Sequence, residues 1–519
     1  MGIIQIDLPA EEAAFEQEVA AIEAWWKTPR QASLKSARRV AALRATQKTE
    51  YVSSRQALKL WDMLQSHLKE GTYELTYGVS DTIMAAELVK SQSVVYVSGS
   101  LCGVTSALHP GIDHADYPWD TVPNVVSRIQ HALEWNDQLQ RQYRLSQPRE
   151  KRAQLEYVDF LAPIVADGDM GFGPPTSTMK MAKAFVESGV AMIHVDDLAM
   201  GLKKFTIGQG RTLVPISEYE SRLAAVRLQF DIMGAETMLL LRSDCIKAQF
   251  ITSVIDPRDH EYVLGATIAV EPFTAAQTRA IESGQLNTTI VRNAWSATAG
   301  LMTFDQAVKA EASAAQYTSY AALVSGKTVG LAERRVLARS VLGKDVFFDW
   351  ELPRSLQGQY MYQWCTKAVI ERQLAAAPYG DLSWPRMDYA DEALIAEIYA
   401  GVTAQYPNRM FCFGYTNTYD WAGNGFSYDG IKAFPSVMAK YGAVFQIQPV
   451  WASQGLRAYT TECCRLLKDE GIAGYVEKIQ KPALEIQGKG SGMVSGGAYL
   501  ADAFLETLGA KDHQQRQAE

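Results

Sequence analysis

The chain has 519 residues, 47% hydrophobic and 21% charged, with a formal net charge of -8. That composition is ordinary for a globular protein and leaves room for a large core and more than one structural unit. The acidic balance and the lack of a basic stripe argue against a nucleic-acid partner, and the longest apolar runs are strand-length, so no membrane span is expected.

Residues 8–70 read as helices, because Glu11 to Trp26 and Ser54 to Glu70 carry apolar residues at three- and four-residue spacing. The period then shortens. Five apolar runs follow, each succeeded by an amphipathic stretch: Leu75–Val79, Ser93–Ser98, Pro163–Ala166, Ala191–Val195 and Met238–Arg242. Three more come later, at Asp381–Trp384, Met410–Phe413 and Ala443–Gln448. Eight strands alternating with helices predict an α/β fold of the (β/α)8 TIM type, with a doubly wound open sheet as the alternative.

The expected organisation is an N-terminal helical segment over 1–72, a barrel over 73–250 and 350–455, a helical insertion over 251–349 and a C-terminal helical segment over 456–519. Insertion helices are expected around Ala275–Ser283 and Phe304–Ser325, with Asp256–Asp259 and Gly343–Asp345 at the edges. A helix over 456–482, a loop rich in glycine (Gly488, Gly490, Gly492, Gly496, Gly497) and a helix Tyr499–Leu508 complete the chain. Those glycines lack the strand-before, helix-after setting of a nucleotide loop, so they read as a connector.

Six scattered cysteines (Cys102, Cys245, Cys365, Cys412, Cys463, Cys464) form no spaced metal pair and fit a reducing compartment. The N-terminal residues lack the layouts of a signal or transit peptide, and Ile6 stands where myristoylation wants Ser or Thr. Arg516–Glu519 does not end as a peroxisomal signal does. The expectation is an intracellular, cytoplasmic protein, with peroxisome and mitochondrion left open.

Working residues of such barrels sit at the carboxyl ends of strands. Those ends carry Ser98, Gly99 and Ser100; Asp167 and Asp169; Asp196 and Asp197; Arg242 and Asp244; Arg386; Thr416 and Thr418; and Gln448. Carboxylates there are costly to bury unless a cation neutralises them, so Asp167, Asp169 and Asp196 suggest one shared divalent metal site. Helix N-capping after a strand is the alternative for any single Asp, and it accounts far less well for the whole set.

The stretches Tyr96–Gly99, Pro110–Pro118, Ile164–Gly173, Lys203–Lys204, Leu213–Pro215, Arg242–Asp244 and Ile251–His260 resemble the isocitrate lyase family, within the phosphoenolpyruvate mutase superfamily. The insertion resembles that of fungal-type isocitrate and 2-methylisocitrate lyases. The resemblance implies retro-aldol cleavage of a 2-hydroxy tricarboxylate to a 2-oxo acid and a succinate. It implies Mg2+ (with Mn2+ as a substitute), a small carboxylic acid as substrate, and a homotetramer. Asp167 matches the metal-contacting aspartate, and Asp113, Asp169 and Asp196 match the water-mediated acidic shell, Asp196 standing where the family has Glu. Ser98, Gly99 and Arg242 match groups that hold the 2-oxo acid carboxylate, a task that suits a bidentate guanidinium.

The other half of the pattern departs. The family loop Lys-Lys-Cys-Gly-His, whose Cys supplies a proton, reads Lys203-Lys204-Phe205-Thr206-Ile207. A phenyl ring donates no proton. Lys203 and Lys204 are therefore candidate clamps or acid/base groups, and Thr206 a substrate contact. The Trp after Ser-Gly is Ser100, the strand-six Glu is Arg386, two hydroxyls persist as Thr416 and Thr418, and the strand-eight Thr is Pro449. Buried, Arg386 wants an anion, either Asp388, Asp420 or a substrate group; turned outward, it would be solvated. Two functions stay open: a repurposed magnesium-dependent carbon–carbon lyase, with C–C or C–P hydrolysis as neighbouring chemistry, or a catalytically silent homologue.

Overall fold

The computed structural model describes residues 6–28, 36–111, 114–201, 210–416, 419–485 and 501–509. Asp113, Lys203, Lys204, Phe205, Thr206, Thr418 and the loop carrying Gly488 to Gly497 lie outside the described residues.

Eight parallel strands close into a barrel: β1 (Glu74–Val79), β2 (Val95–Val97), β3 (Ile164–Asp167), β4 (Met192–Val195), β5 (Met238–Ser243), β6 (Leu382–Pro385), β7 (Met410–Gly414) and β8 (Ala443–Gln448). Each of the eight runs read from the sequence supplies one strand. The open-sheet alternative fails because β1 pairs with both β2 and β8. The strands are buried almost throughout, since helices cover the outside and side chains fill the inside. Helix Val52–Glu70 closes the amino end of the barrel: Ala57, Leu60 and Leu64 pack against the first residues of the strands, including Met192, Met238, Leu382 and Met410.

Between β5 and β6 the chain inserts helices Phe273–Glu282, Thr288–Ala299, Phe304–Glu311, Ala314–Val324 and Leu331–Leu342. The single helical stretch expected over Phe304–Ser325 is two helices. Ser313 breaks it by forming a capping box with Gln316, so the second helix starts on its own cap. The C-terminal helix begins earlier than expected, at Trp451, and Gly471 (φ 62°) interrupts its helical geometry before Tyr475. Beside the barrel mouth, Arg211–Leu213, Ala248–Ile251 and Tyr360–Met361 form a small sheet. No helix among the described residues is long and apolar enough to cross a membrane.

Candidate active site at the barrel mouth

Register places the working residues. β3 pairs Asp167 with His194 of β4, and β6 pairs Trp384 with Arg242 of β5. Beyond the strand ends, Gly168 N–H donates to His194 O at 2.8 Å and Asp196 N–H to Asp169 O at 2.7 Å, tying the β3 loop to the end of β4. In that loop Asp169 (φ 43°) and Phe172 (φ 56°) both adopt left-handed backbone, which is uncommon for residues with a side chain and clusters at functional sites.

Asp167, Asp169 and Asp196 are buried together here. Asp167 accepts from Gly99 N–H (3.2 Å) and Asp169 N–H (2.9 Å), and Asp169 accepts from the Tyr117 hydroxyl. Gly99 is required by that crowding: a Cβ there would run into the Tyr117 hydroxyl and sit 2.7 Å from Asp169 Oδ2. Asp196 Oδ1 accepts from Leu198 N–H at 3.1 Å. Arg242 Nη1 lies 3.8 Å from Asp167 Oδ2 and 3.9 Å from Asp196 Oδ2, between the two but beyond hydrogen-bond distance of either. Its main partner is Asp244, at 2.7 Å through Nε and 3.2 Å through Nη2. Neighbouring carboxylates, led by Asp244, outweigh burial and hold its pKa well above the ordinary value.

Arg386 does not turn outward. It is 6% exposed and donates to Asp244 at 2.8 Å, with Asp388 at 3.2 Å. Asp420, the other carboxylate considered for it, instead accepts from Gly423 N–H. Arg211 joins the same network, 2.5 Å from Asp388 and 3.8 Å from Asp244.

A pocket opens over these groups, lined by Tyr96, Ser98, Ser100, Asp167, Arg242, Trp384, Arg386, Thr416, Pro449 and Val450. Its volume is about 30 Å³, so a ligand must displace wall side chains. Six residues anticipated from sequence meet here: Ser98, Ser100, Asp167, Arg242, Arg386 and Thr416. Ser98 and Ser100 hydroxyls stand 3.2 Å apart. Gln448 is turned to its own chain, accepting from Val450 N–H. Asp197, beside Asp196, also faces away: it accepts from Ser243 Oγ (2.7 Å), Asp244 N–H (2.9 Å) and Arg372 (3.2 Å).

Three side chains, Tyr96, His194 and Trp384, escaped the sequence reading as site residues. The Tyr96 hydroxyl, on the pocket wall, is 2.9 Å from His194 Nε2, and His194 Nδ1 is 3.2 Å from Asp167 Oδ1. Burial first, then the Asp167 charge, hold the phenol protonated. Trp384 carries the Arg242 guanidinium carbon 5.1 Å from its ring centre. Asp244 and Asp388 join the arginines. No cysteine lines the pocket; Cys102, Cys245 and Cys412 are buried, and burial pushes the Cys245 thiol up to about 12.

A larger cavity, about 690 Å³, lies where the insertion meets the barrel. Of its cations, Arg258, Arg334 and Lys367 are paired with Glu220, Asp305 and Glu261, and Lys327 donates to Leu323 O. The convergent acids and reactive groups are at the barrel mouth.

Among the described residues no three acidic, His or Cys side chains form a ready-made metal cluster. Asp167, Asp169 and Asp196 are buried oxygen donors of the kind a hard divalent ion takes, one or two directly and others through water.

The model of the isocitrate lyase family matches residues 18–506. The chain is 50% identical over 511 residues to the mitochondrial 2-methylisocitrate lyase of Schizosaccharomyces pombe, covering 98% of each chain. It is 36% identical to the isocitrate lyase of rice, Oryza sativa subsp. japonica, over 91% of this chain and 86% of that one. It is 33% identical to the mitochondrial 2-methylisocitrate lyase of Hypocrea atroviridis, over 92% of this chain and 88% of the relative. With a closed barrel, acids at the ends of β3 and β4 and a match along nearly its whole length, the chain belongs to the isocitrate lyase family.

Proposed function

We propose that the protein is a magnesium-dependent carbon–carbon lyase acting on a 2-hydroxy carboxylic acid, with a remodelled pocket for the departing fragment. The observation that carries this reading is the convergence of Asp167, Asp169, Asp196 and Arg242 with Ser98 and Ser100 at the mouth of the barrel. Asp167 would hold the ion directly, and Asp169 and Asp196 through water, with Asp113 as a further acid of the set. When bound, the ion supplies Lewis-acid stabilisation of the developing enolate.

The chain's own groups do the rest. Arg242 offers a guanidinium to the 2-oxo acid carboxylate, and the Ser98 and Gly99 turn orients it. Tyr96, on the pocket wall, is hydrogen-bonded to His194, a pair able to hold the proton of the substrate hydroxyl. Lys203, Lys204 and Thr206 remain the proposed loop contacts, and Thr416 and Thr418 the proposed hydroxyls on the far side.

The relative at 50% identity makes 2-methylisocitrate the first substrate to test, with isocitrate beside it. Magnesium-dependent release of a 2-oxo acid is expected, and Asp167→Ala is expected to abolish it. Turnover that survives chelation of divalent metal, or survives Asp167→Ala, would sink the reading. Phe205 at the position of the family's acid favours a second reading, a ligand-binding homologue without turnover; Phe205→Cys raising cleavage from nothing would support it.

We also read the assembly as a homotetramer. The C-terminal helix leaves Leu456, Tyr459 and Leu467 exposed at positions that share one face before Gly471, an apolar face suited to another copy, and light scattering checks the mass. The mitochondrial names of two relatives favour that organelle over the cytoplasm, and imaging of a tagged chain decides.

A further inference from the structure

We propose that the cavity between the insertion and the barrel binds a small organic polyanion, with Lys327 as the cation that recognises it. The inference does not depend on the lyase reading above, because this cavity shares no residue with the pocket at the barrel mouth.

The cavity has the size of a ligand site: its volume of about 690 Å³ lies within the roughly 300–1,000 Å³ of small-molecule pockets. Its walls come from three stretches of chain. The insertion supplies Asp305, Arg334 and the turn at 324–329 that carries Lys327. Arg258 and Glu261 belong to the segment leading into the insertion, and Lys367 and Glu371 to the helix Thr366–Ala376 that follows it.

The charges on these walls decide the sign of the ligand. Every acid is engaged twice. Glu261 holds Arg334 at 3.2 Å and Lys367 at 2.8 Å. Glu371 holds Lys367 at 3.1 Å and the Tyr262 hydroxyl at 2.5 Å. Asp305 holds Arg334 and the Tyr320 hydroxyl, the latter at 2.6 Å. No wall carboxylate is left over for a cationic ligand. Among the cations Lys327 stands apart, because its partner is a backbone carbonyl, Leu323 O at 3.1 Å, and no carboxylate among the described residues pairs with it.

A lysine on an exposed turn is ordinarily only solvated. Lys327 differs in lining a cavity whose opposite wall also offers an ammonium group. The Lys367 side chain is 54% exposed, more than Glu261, Asp305 or Glu371, which run from 20% to 38%. An entering ligand therefore meets one ammonium from the insertion and one from the barrel side. Such compact charges, unlike a guanidinium fork, accept carboxylate and phosphate oxygens alike. A ligand with more than one anionic group engages both walls and holds the insertion to the barrel.

Calorimetric titration of the magnesium-loaded full chain tests this, with tricarballylate as the polycarboxylate probe and inorganic phosphate as the phosphate probe. Binding of either by the wild type is expected, and the tighter of the two names the source of the anion. Lys327→Gln should weaken it about tenfold, the worth of a contact to a charged group. Lys344→Gln removes the same charge from the insertion away from the cavity, and should change affinity by less than about twofold. Asp167→Ala, at the barrel mouth, should leave the binding in place. Neither probe binding the wild type at millimolar concentration overturns the proposal, as does unchanged affinity in Lys327→Gln. Equal weakening by Lys344→Gln would make the effect one of general surface charge, and loss in Asp167→Ala would put the probe in the barrel; either result also overturns it.

Discussion

Two buried arginine networks lie close together at this end of the barrel, and they differ in setting. Arg372, from the helix Thr366–Ala376, is one guanidinium between two carboxylates, 3.2 Å from Asp197 and 2.6 Å from Asp259, with Val214 O at 3.1 Å. Around Arg386, Arg211 and Arg242 approach the same Asp244, Asp388 pairs with Arg211 and Arg386, and Arg242 also faces Asp167 and Asp196, all beside a pocket. Nearby acids hold Arg372 well above the ordinary arginine pKa against its burial; Arg386 is pushed down. Burial therefore does not mark a functional charge. The presence of a pocket beside it does. By this criterion Arg372 is a clamp: it ties the end of β4 to the edge of the insertion, and Asp197 in turn fixes the backbone N–H of Asp244.

The largest expected effect comes from breaking the clamp. Arg372→Met leaves Asp197 and Asp259 buried without their cation, and should cost about 3–5 kcal/mol of stability. Adding Asp259→Asn removes one orphaned charge and should recover part of that loss. Chemical denaturation of the two variants gives both numbers. The comparison breaks if Arg372→Met unfolds at the wild-type midpoint but binds ligand differently, because the clamp would then be part of the pocket.

A smaller and different loss is expected from Asp244→Asn. It withdraws the charge of the carboxylate that Arg211, Arg242 and Arg386 all approach, leaving Arg386 with Asp388 beside it. Stability should fall by about 2–3 kcal/mol, the scale for disturbing a buried charge that keeps other partners. Unlike the clamp variant, this one should be rescued by an anion: saturating succinate should raise its melting temperature more than it raises that of the wild type. Arg372→Met should gain no more than wild type. Equal rescue of both would erase the distinction between clamp and pocket.

The barrel was legible because each strand is a short apolar run bounded by polar residues, and because β-strand register then fixes what lies beside what. The site was half legible. Acids and guanidiniums at strand ends announce themselves as residues with no business in a core. The layer beneath does not, because Tyr96, His194 and Trp384 pass for strand filling. Side chains alternate along a strand, so stepping back two residues from Ser98, Asp196 and Arg386 reaches Tyr96, His194 and Trp384. Stepping on two from Arg242 reaches Asp244. What no local pattern shows is partner choice: Arg386 meets Asp244 from β5 across 142 positions of sequence, a pairing that only barrel closure creates. For the same reason Asp256 and Asp259 read as the punctuation of an insertion, although they cap a helix. Asp259 accepts from Ile216 N–H and Asp256 from Ser217 N–H, both at 2.9 Å, at the start of helix Ile216–Met233.

That shared cap gives the finest test, because its second acid has an arginine partner near the surface. Arg258 is 33% exposed and holds Asp256 at 2.7 Å and Glu220 at 2.6 Å. Burial pushes the Asp256 carboxyl up, but hydrogen bonds and charge from Arg258, with the Ser217 N–H, outweigh it and leave the pKa below the ordinary value. A depressed carboxylate contributes its stability fully above the unfolded value, about 3.9, and loses it as pH falls through the lower folded value. Arg258→Met should therefore cost only about 1 kcal/mol at neutral pH, since solvent already screens this pair. It should also start the acid-side loss of stability at a higher pH than in the wild type, because only the backbone N–H groups of positions 217 and 258 would then oppose the effect of burial on the Asp256 carboxyl. Denaturation midpoints measured from neutral to acidic pH report both effects. A neutral-pH loss as large as that of Arg372→Met would mean that the clamp's strength comes from capping this helix, not from burying one guanidinium between two acids.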